Sequence, residues 1–277
     1  MATWLITGAS RGLGAEIARA ALAGGDTVAV AVRNPDRLPD DLKTADRVFP
    51  VALDVTDTAA IAPAVESVAD RFGGIDLLVN NAGRGLLGAL EELSDAEARS
   101  LFDLNVFGLI NVTRAVLPYM REAGGGKLVH IGSRSGFEGE PGVSMYSASK
   151  FAVAGISEAL SVELAPFGIQ SMVVEPGVFR TDFLDASSLS LPENRIAAYD
   201  GTPAHATLDW VGEANHTQLG DPVQGAALIY EVTGQEKLPT HLLLGRDAID
   251  RWQVKVDRIA DDTEPWRAKS IATAHQD

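Results

Sequence analysis

Tyr146 and Lys150 stand four residues apart, a spacing that on a helix brings both side chains to one face, about 6 Å apart along the axis. A lysine ammonium at that range favours a phenolate over a phenol. The pair therefore predicts a tyrosine pulled below its ordinary pKa of about 10, able to give and take a proton. The same spacing also suits a solvated helix face, so the pair gains meaning from its surroundings. A second candidate is Gly8-Ala9-Ser10-Arg11-Gly12-Leu13-Gly14. Glycines in such a turn let backbone N–H groups approach a pyrophosphate at a helix N-terminus, where the helix dipole also favours negative charge. A tight strand-to-helix connection would use glycine too, and the Gly-x3-Gly-x-Gly spacing departs from Gly-x-Gly-x-x-Gly.

The elements that must hold these groups are legible as alternating runs. Short segments rich in Val, Ile and Leu at 3–7, 27–33, 48–53, 77–80, 127–131, 169–174 and 241–244 read as buried strands. Between them, 13–23, 58–72, 94–122, 145–165 and 222–233 carry helical spacing of apolar residues. The longest opens on Ser94 with Glu97 three residues on, a capping-box pattern. Alternating strands and helices imply a parallel sheet covered on both faces, a Rossmann-type doubly wound α/β fold in one domain. In that fold Gly8, Asn80-Asn81-Ala82-Gly83, Ser133 and Pro176-Gly177 all fall at the carboxyl ends of strands, the edge where open α/β sheets bind ligands. Residues 181–220 lack periodicity and read as an irregular segment covering the substrate. The charged tail, 251–277, reads as surface helix and loose terminus.

Composition narrows the function. Thirty-eight acidic against 23 basic residues give a net charge of -15, a field that repels nucleic acid and anionic membranes. With no cysteine, disulfides, thiolate zinc sites and cysteine nucleophiles are excluded, and no metal centre is expected. No stretch of about 20 consecutive apolar residues is present, and strand character begins at residue 3. No membrane span or signal peptide is expected, and a cytoplasmic location is.

Taken together the motifs resemble the short, single-domain branch of the short-chain dehydrogenase/reductase family. The residues that carry the resemblance are Thr7-Gly8-Ala9-Ser10-Arg11-Gly12-Leu13-Gly14, Asp54, Asn80-Asn81-Ala82-Gly83, Asn105, Ser133, Tyr146-Ser147-Ala148-Ser149-Lys150 and Pro176-Gly177-Val178-Phe179-Arg180-Thr181. It implies that Tyr146 is the general acid/base, that Ser133 hydrogen-bonds the substrate oxygen, and that Asn105 holds a water in a proton relay. Lys150 would lower the Tyr146 pKa and bind the nicotinamide ribose. It also implies that Asp54 and Val55 meet the adenine, that Asn81, Ala82 and Gly83 lie beside the cofactor, and that Val178 and Thr181, after Pro176 and Gly177, position the carboxamide. From the residues alone, Asp54 could instead cap the helix near Thr58, Ser133 could end a strand, and Asn105 could be a polar group inside a helix.

The activity implied is hydride transfer between a nicotinamide cofactor and a carbonyl or alcohol. Relatives are commonly homodimers or homotetramers joined through the long helices. The second strand ends at Arg33, where NAD enzymes offer a carboxylate to the ribose 2′-hydroxyl. With Arg11 it predicts NADP(H) over NAD(H), against which Asp36 argues. Phe179, Phe183, Tyr199 and Trp210 suggest an apolar substrate pocket, or packing anchors for the loop. Nucleotide-sugar epimerases have a different glycine spacing, and fatty-acid enoyl reductases place Tyr and Lys farther apart. A dinucleotide-binding scaffold or redox sensor is the alternative, and its mark would be a broken Ser-Tyr-Lys set. That set is complete here.

Overall fold

In a computed structural model, which describes residues 1–275, seven strands form one parallel sheet. They are β1 (Thr3–Thr7), β2 (Thr27–Val32), β3 (Val48–Ala52), β4 (Leu77–Asn80), β6 (Gly126–Ile131), β7 (Ile169–Pro176) and β9 (His241–Leu244). A two-stranded parallel pair joins β5 (Gly85–Leu86) to β8 (Leu189–Ser190). The main sheet runs β3-β2-β1-β4-β6-β7-β9. The chain starts at the centre, builds outward through β2 and β3, then returns to add β4 on the other side of β1. That reversal opens a crevice at the carboxyl ends of β1 and β4.

Alternation along each strand sorts the core. Trp4, Ile6, Val28 and Val30 face one layer and pack with Ile17, Ala18 and Ala21 of α1 (Gly12–Ala23) and Ile229 of α8 (Pro222–Thr233). Leu5, Ala29 and Leu78 face the other, against Ile61, Val65 and Val68 of α3 (Thr58–Phe72) and Val112, Val116 and Met120 of α5 (Leu109–Ala123). Successive residues point to opposite sides of the sheet, so both faces must be apolar and covered. Truncating one of these fully buried side chains, such as Ile17→Ala, costs about 2–5 kcal/mol. The strand ends are thus held by a stiff platform.

The long predicted helix is one run with an interruption. Asp95–Phe102 (α4) passes into a π-helical turn, Asp103–Gly108, and on into α5. The capping box forms: Ser94 Oγ accepts from Glu97 N at 3.2 Å, and Glu97 Oε2 accepts from Ser94 N at 2.8 Å. This run, Asp95–Ala123, is long and apolar enough to cross a bilayer by length and composition only. Its apolar side is spent on the core, where Val112, Val116 and Met120 are fully buried.

Residues 181–220 are more ordered than predicted. They contain β8, three-residue 3-10 turns and a twelve-residue helix, α7 (Pro203–Ala214). The buried positions of α7 are His205, Leu208, Val211 and Ala214, so its apolar stripe includes a histidine and an alanine and gives a weak periodic signal. A four-residue helix, α2 (Asp40–Lys43), follows β2. The tail forms α9 (Arg246–Thr263) and α10 (Arg267–Ile271). Its expected loose end, at 276–277, lies outside the described residues.

Candidate active site

At the crevice between β1 and β4 the chain encloses a cleft of about 790 Å³. Its floor is the turn from β1 into α1. Gly8 and Gly12 have φ of +69° and +57°, conformations that cost a side-chain-bearing residue strain. Gly14 plays a different part. It sits behind the cleft, where a Cβ would overlap the Asn81 side-chain amide, and Asn81 Nδ2 in turn donates to the Thr7 and Gly8 carbonyls at 2.9 and 3.0 Å.

Helix α1 begins without a capping side chain and without an acidic residue in its first turn. By contrast α3, α4 and α8 are capped by Asp57, Ser94 and Asp221. The first N–H groups of α1 are therefore left without a side-chain acceptor beside Ser10, Arg11, Gly12 and Leu13, which line the cleft, an arrangement suited to phosphate oxygens.

The reactive end is built by α6 (Ser144–Glu163). It places Tyr146 and Lys150 on one face, both buried, with the Lys150 Nζ 5.8 Å from the Tyr146 ring centroid. Lys150 Nζ donates to the Ile131 carbonyl at 2.8 Å, leaving two of its three N–H donors free of that bond. Ser133, at the end of β6, lies within hydrogen-bonding reach of the Tyr146 hydroxyl. Behind the cleft, Asn105 in the π turn clamps the adjacent loop. Its Oδ1 accepts from Arg84 N and its Nδ2 donates to Arg84 O, both at 2.9 Å. Gly83 keeps this corner open, since a Cβ there would stand 3.2 Å from Asn105 Oδ1 and 3.7 Å from Lys150 Nζ.

The electrostatics correct one expectation. The Tyr146 pKa is pushed up to about 12, not pulled below 10. Loss of water raises it, Ser133 and the Arg134 charge lower it, Glu140 raises it slightly, and burial wins. Burial likewise brings Lys150 down to about 8. The tyrosine holds its proton through neutral pH, and the lysine is largely cationic there.

Gly8, Ser10, Arg11, Gly12, Leu13, Arg33, Asp54, Val55, Asn81, Ala82, Gly83, Ser133, Tyr146, Lys150, Pro176, Gly177, Val178 and Thr181 all line the cleft, whereas Gly14 and Asn105 support it from behind. Asp54 is not the cap of α3. It accepts from Thr56 N and Thr56 Oγ1 at 2.9 and 2.7 Å, while Asp57 caps the helix. Arg11 reaches across to Ser187 Oγ at 2.7 Å and Ser188 Oγ at 2.6 Å, which ties the floor to the segment 181–220. Asp36 faces Lys43 at 3.6 Å and does not line the cleft. Of the four aromatics, Phe179, Phe183 and Trp210 line it, but Tyr199 is turned away and donates to Glu91 at 2.9 Å. Sequence reasoning missed Arg134 and Glu140, which follow the Ser133 strand end and carried no spacing signal. It also missed Asp247, which reaches the site only through tertiary folding.

Comparison with known proteins agrees with this geometry. The family model described as short chain dehydrogenase matches residues 2–190. An oxidoreductase of Botryotinia fuckeliana is 37% identical over 273 residues, covering 98% of each chain. The crystal structure of a short-chain dehydrogenase from Streptomyces avermitilis superposes with a TM-score of 0.91 at 42% identity, covering 99% of both chains. The closed form of a serine dehydrogenase complexed with NADP+ gives a TM-score of 0.74 at 27% identity, covering 87% of this chain and 94% of that one.

Proposed function

The chain belongs to the short-chain dehydrogenase family and is an oxidoreductase acting on alcohol and carbonyl groups, and from that premise we propose that it interconverts a ketone or aldehyde and its alcohol with NADP(H), using Tyr146 as general acid and base. The observation that carries this reading is the convergence of Ser133, Tyr146 and Lys150 on one cleft whose far end is the uncapped, glycine-lined start of α1. When bound, the cofactor supplies or accepts the hydride. Ser133 donates a hydrogen bond to the substrate oxygen, and Tyr146 gives its proton to that oxygen as negative charge develops there. Lys150 offers its remaining N–H donors to ribose hydroxyls. Asn105 fixes the Gly83–Arg84 backbone and is assigned the water of the proton relay.

The preference for NADP(H) rests on Arg33, exposed at the cleft edge beside Asp54, with Asp36 directed elsewhere. Because Arg11 is engaged with Ser187 and Ser188, Arg33 carries most of the 2′-phosphate recognition. Phe183, whose ring centre lies 5.8 Å from that of Tyr146, and Trp210 favour an apolar substituent on the substrate. Residues 181–220 act as its cover within a single domain. Exposed Phe107, Phe151 and Val162 on and near the long helices support assembly of two or four copies, and the acidic, cysteine-free composition suits the cytoplasm.

Steady-state kinetics and cofactor titration test the assignment. Tyr146→Phe should retain NADPH binding and lose at least about 10²-fold in turnover, the contribution of a general acid. Retention of more than about a tenth of the wild-type rate would remove Tyr146 from this role. Arg33→Ala should weaken NADPH and leave NADH binding nearly unchanged. Equal loss for both cofactors would overturn the preference.

A further inference from the structure

The carboxylate of Asp247 joins two walls of the cleft. It lies in the first turn of α9, where a negative charge is favoured by the helix dipole. One oxygen, Oδ2, accepts from Val178 N at 2.9 Å and from Arg134 Nη1 at 3.2 Å. Val178 belongs to the loop after β7, and Arg134 follows Ser133 in the loop after β6. The backbone makes room for this carboxylate: a Cβ on Gly177 would overlap it, and one on Gly245 would stand 2.9 Å from Oδ1. Arg134 is held from its other side by Glu140 at 3.2 Å, and Arg251, also on α9, meets Glu138 at 3.2 Å and Glu140 at 3.7 Å. Arg134 and Asp247 are largely shielded, with 19% and 30% side-chain exposure, so their contact is screened less than a surface pair.

We propose that Asp247 is a positioning residue for the reaction, one carboxylate that sets the distance between the Ser133 loop and the Val178–Thr181 loop and holds Arg134 beside Tyr146. This rests on the functional reading above. The two loops carry the groups assigned to the substrate oxygen and to the nicotinamide end of the cofactor, and the last backbone bond between their strands runs from Gly132 N to Val174 O at 2.7 Å, before either loop begins. A charge-assisted tether is therefore what keeps them in register. Arg134 contributes by favouring the developing phenolate of Tyr146, in a setting that also includes Lys150, Glu140, Arg84 and Asp182.

Three single variants, one double variant and two readouts test the assignment. Asp247→Ala removes both contacts, Asp247→Asn keeps an acceptor for Val178 N but loses the charge facing Arg134, and Arg134→Gln removes the other partner. In the cofactor-free protein, amide exchange at Val178 should accelerate about tenfold or more in Asp247→Ala and stay near wild type in Asp247→Asn. In kinetics, Asp247→Ala should lose about 10- to 100-fold in kcat/KM, with partial rescue by Asn. Losses from Asp247→Ala and Arg134→Gln should fail to multiply in the double variant, as expected of groups acting as one unit. Unchanged Val178 exchange, turnover within about twofold of wild type, or multiplying losses would each overturn the proposal. A wild-type protein without turnover on any carbonyl would defeat the functional reading instead, and the exchange result would still decide the tether.

Discussion

Burial drives Tyr146 and Lys150 toward their neutral forms, with values near 12 and 8, and this suits reduction. A phenol that keeps its proton at neutral pH is ready to donate it, and a lysine that is cationic there can favour the anion left behind. As pH rises through about 8 the lysine charge fades before the tyrosine loses its proton. We therefore expect kcat/KM for carbonyl reduction to be flat through neutral pH and to fall through a single group near 8, since this parameter reports the free enzyme. Lys150→Arg, whatever its absolute rate, should abolish that fall. The same shift is a stability statement. The folded protein releases the Lys150 proton near 8, the unfolded chain near 10.5, so the unfolded state binds more protons in that window and stability rises with pH by roughly 3 kcal/mol. Tyr146, with its value raised from 10.0 to about 12, reverses the slope above 10. Denaturant unfolding from pH 7 to 10.5 checks this, and Lys150→Met should flatten the rise.

Among the elements, α7 is held by polar contacts as well as by Leu208 and Val211, which pack with Leu87, Val143 and Leu189. The fully buried Glu92 carboxylate accepts from Ala89 N at 2.9 Å and Ile196 N at 2.8 Å, and faces His205 Nε2 at 2.7 Å. Asp200 faces the other ring nitrogen of His205 at 3.0 Å. Glu92→Ala should leave the Ile196 and His205 groups without this acceptor, so residues 190–215 should open locally while the sheet stays folded. Limited proteolysis at Arg195 and Tyr199 should speed up about tenfold or more, with the midpoint of global unfolding little changed. The same assay tests the covering role: cofactor with a substrate analogue should slow cleavage of the wild-type segment, and unchanged rates would remove that role. This anchoring also explains what sequence could and could not convey. Strands such as Thr3–Thr7 and Leu77–Asn80 match expectation to the residue, because continuous Val, Ile and Leu between turn residues is what a sheet covered on both faces requires. The turn motifs that line the cleft were legible because they sit at strand ends, next to glycines, and the Tyr146–Lys150 pair because its spacing is one helical turn. The helix α7, the two-residue strands and the Asp247 contacts were not. They are specified by partners about 60 to 110 residues away, as with Glu92 and His205, 113 apart, and long-range pairing leaves no local period.

At the scale of the whole molecule, charge and binding site oppose each other. The chain carries a net charge of -15, yet its proposed ligand is a polyanion that must reach the cleft between β1 and β4. The attraction that overcomes this field is local: the first N–H groups of α1, Arg33 at the edge, and Lys150 within. Contacts of a few ångströms lie inside the Debye length at every ordinary salt concentration, whereas repulsion from charges spread over the surface is cut off as that length shrinks from about 30 Å at 0.01 M to about 8 Å at 0.15 M. Salt should therefore weaken the repulsion more than the attraction. We expect the association rate of NADPH to increase between those ionic strengths, the opposite of a steered encounter between unlike charges. The dissociation rate should change less. NADH, which lacks the 2′-phosphate, should show a smaller rise. Stopped-flow fluorescence of the reduced nicotinamide measures both rates. An association rate that falls as salt is added would mean that the arginines at the cleft mouth govern the field felt by the incoming cofactor. In that case Arg33→Ala should convert the fall into a rise, because it removes the exposed positive charge at that edge while leaving the acidic surface intact.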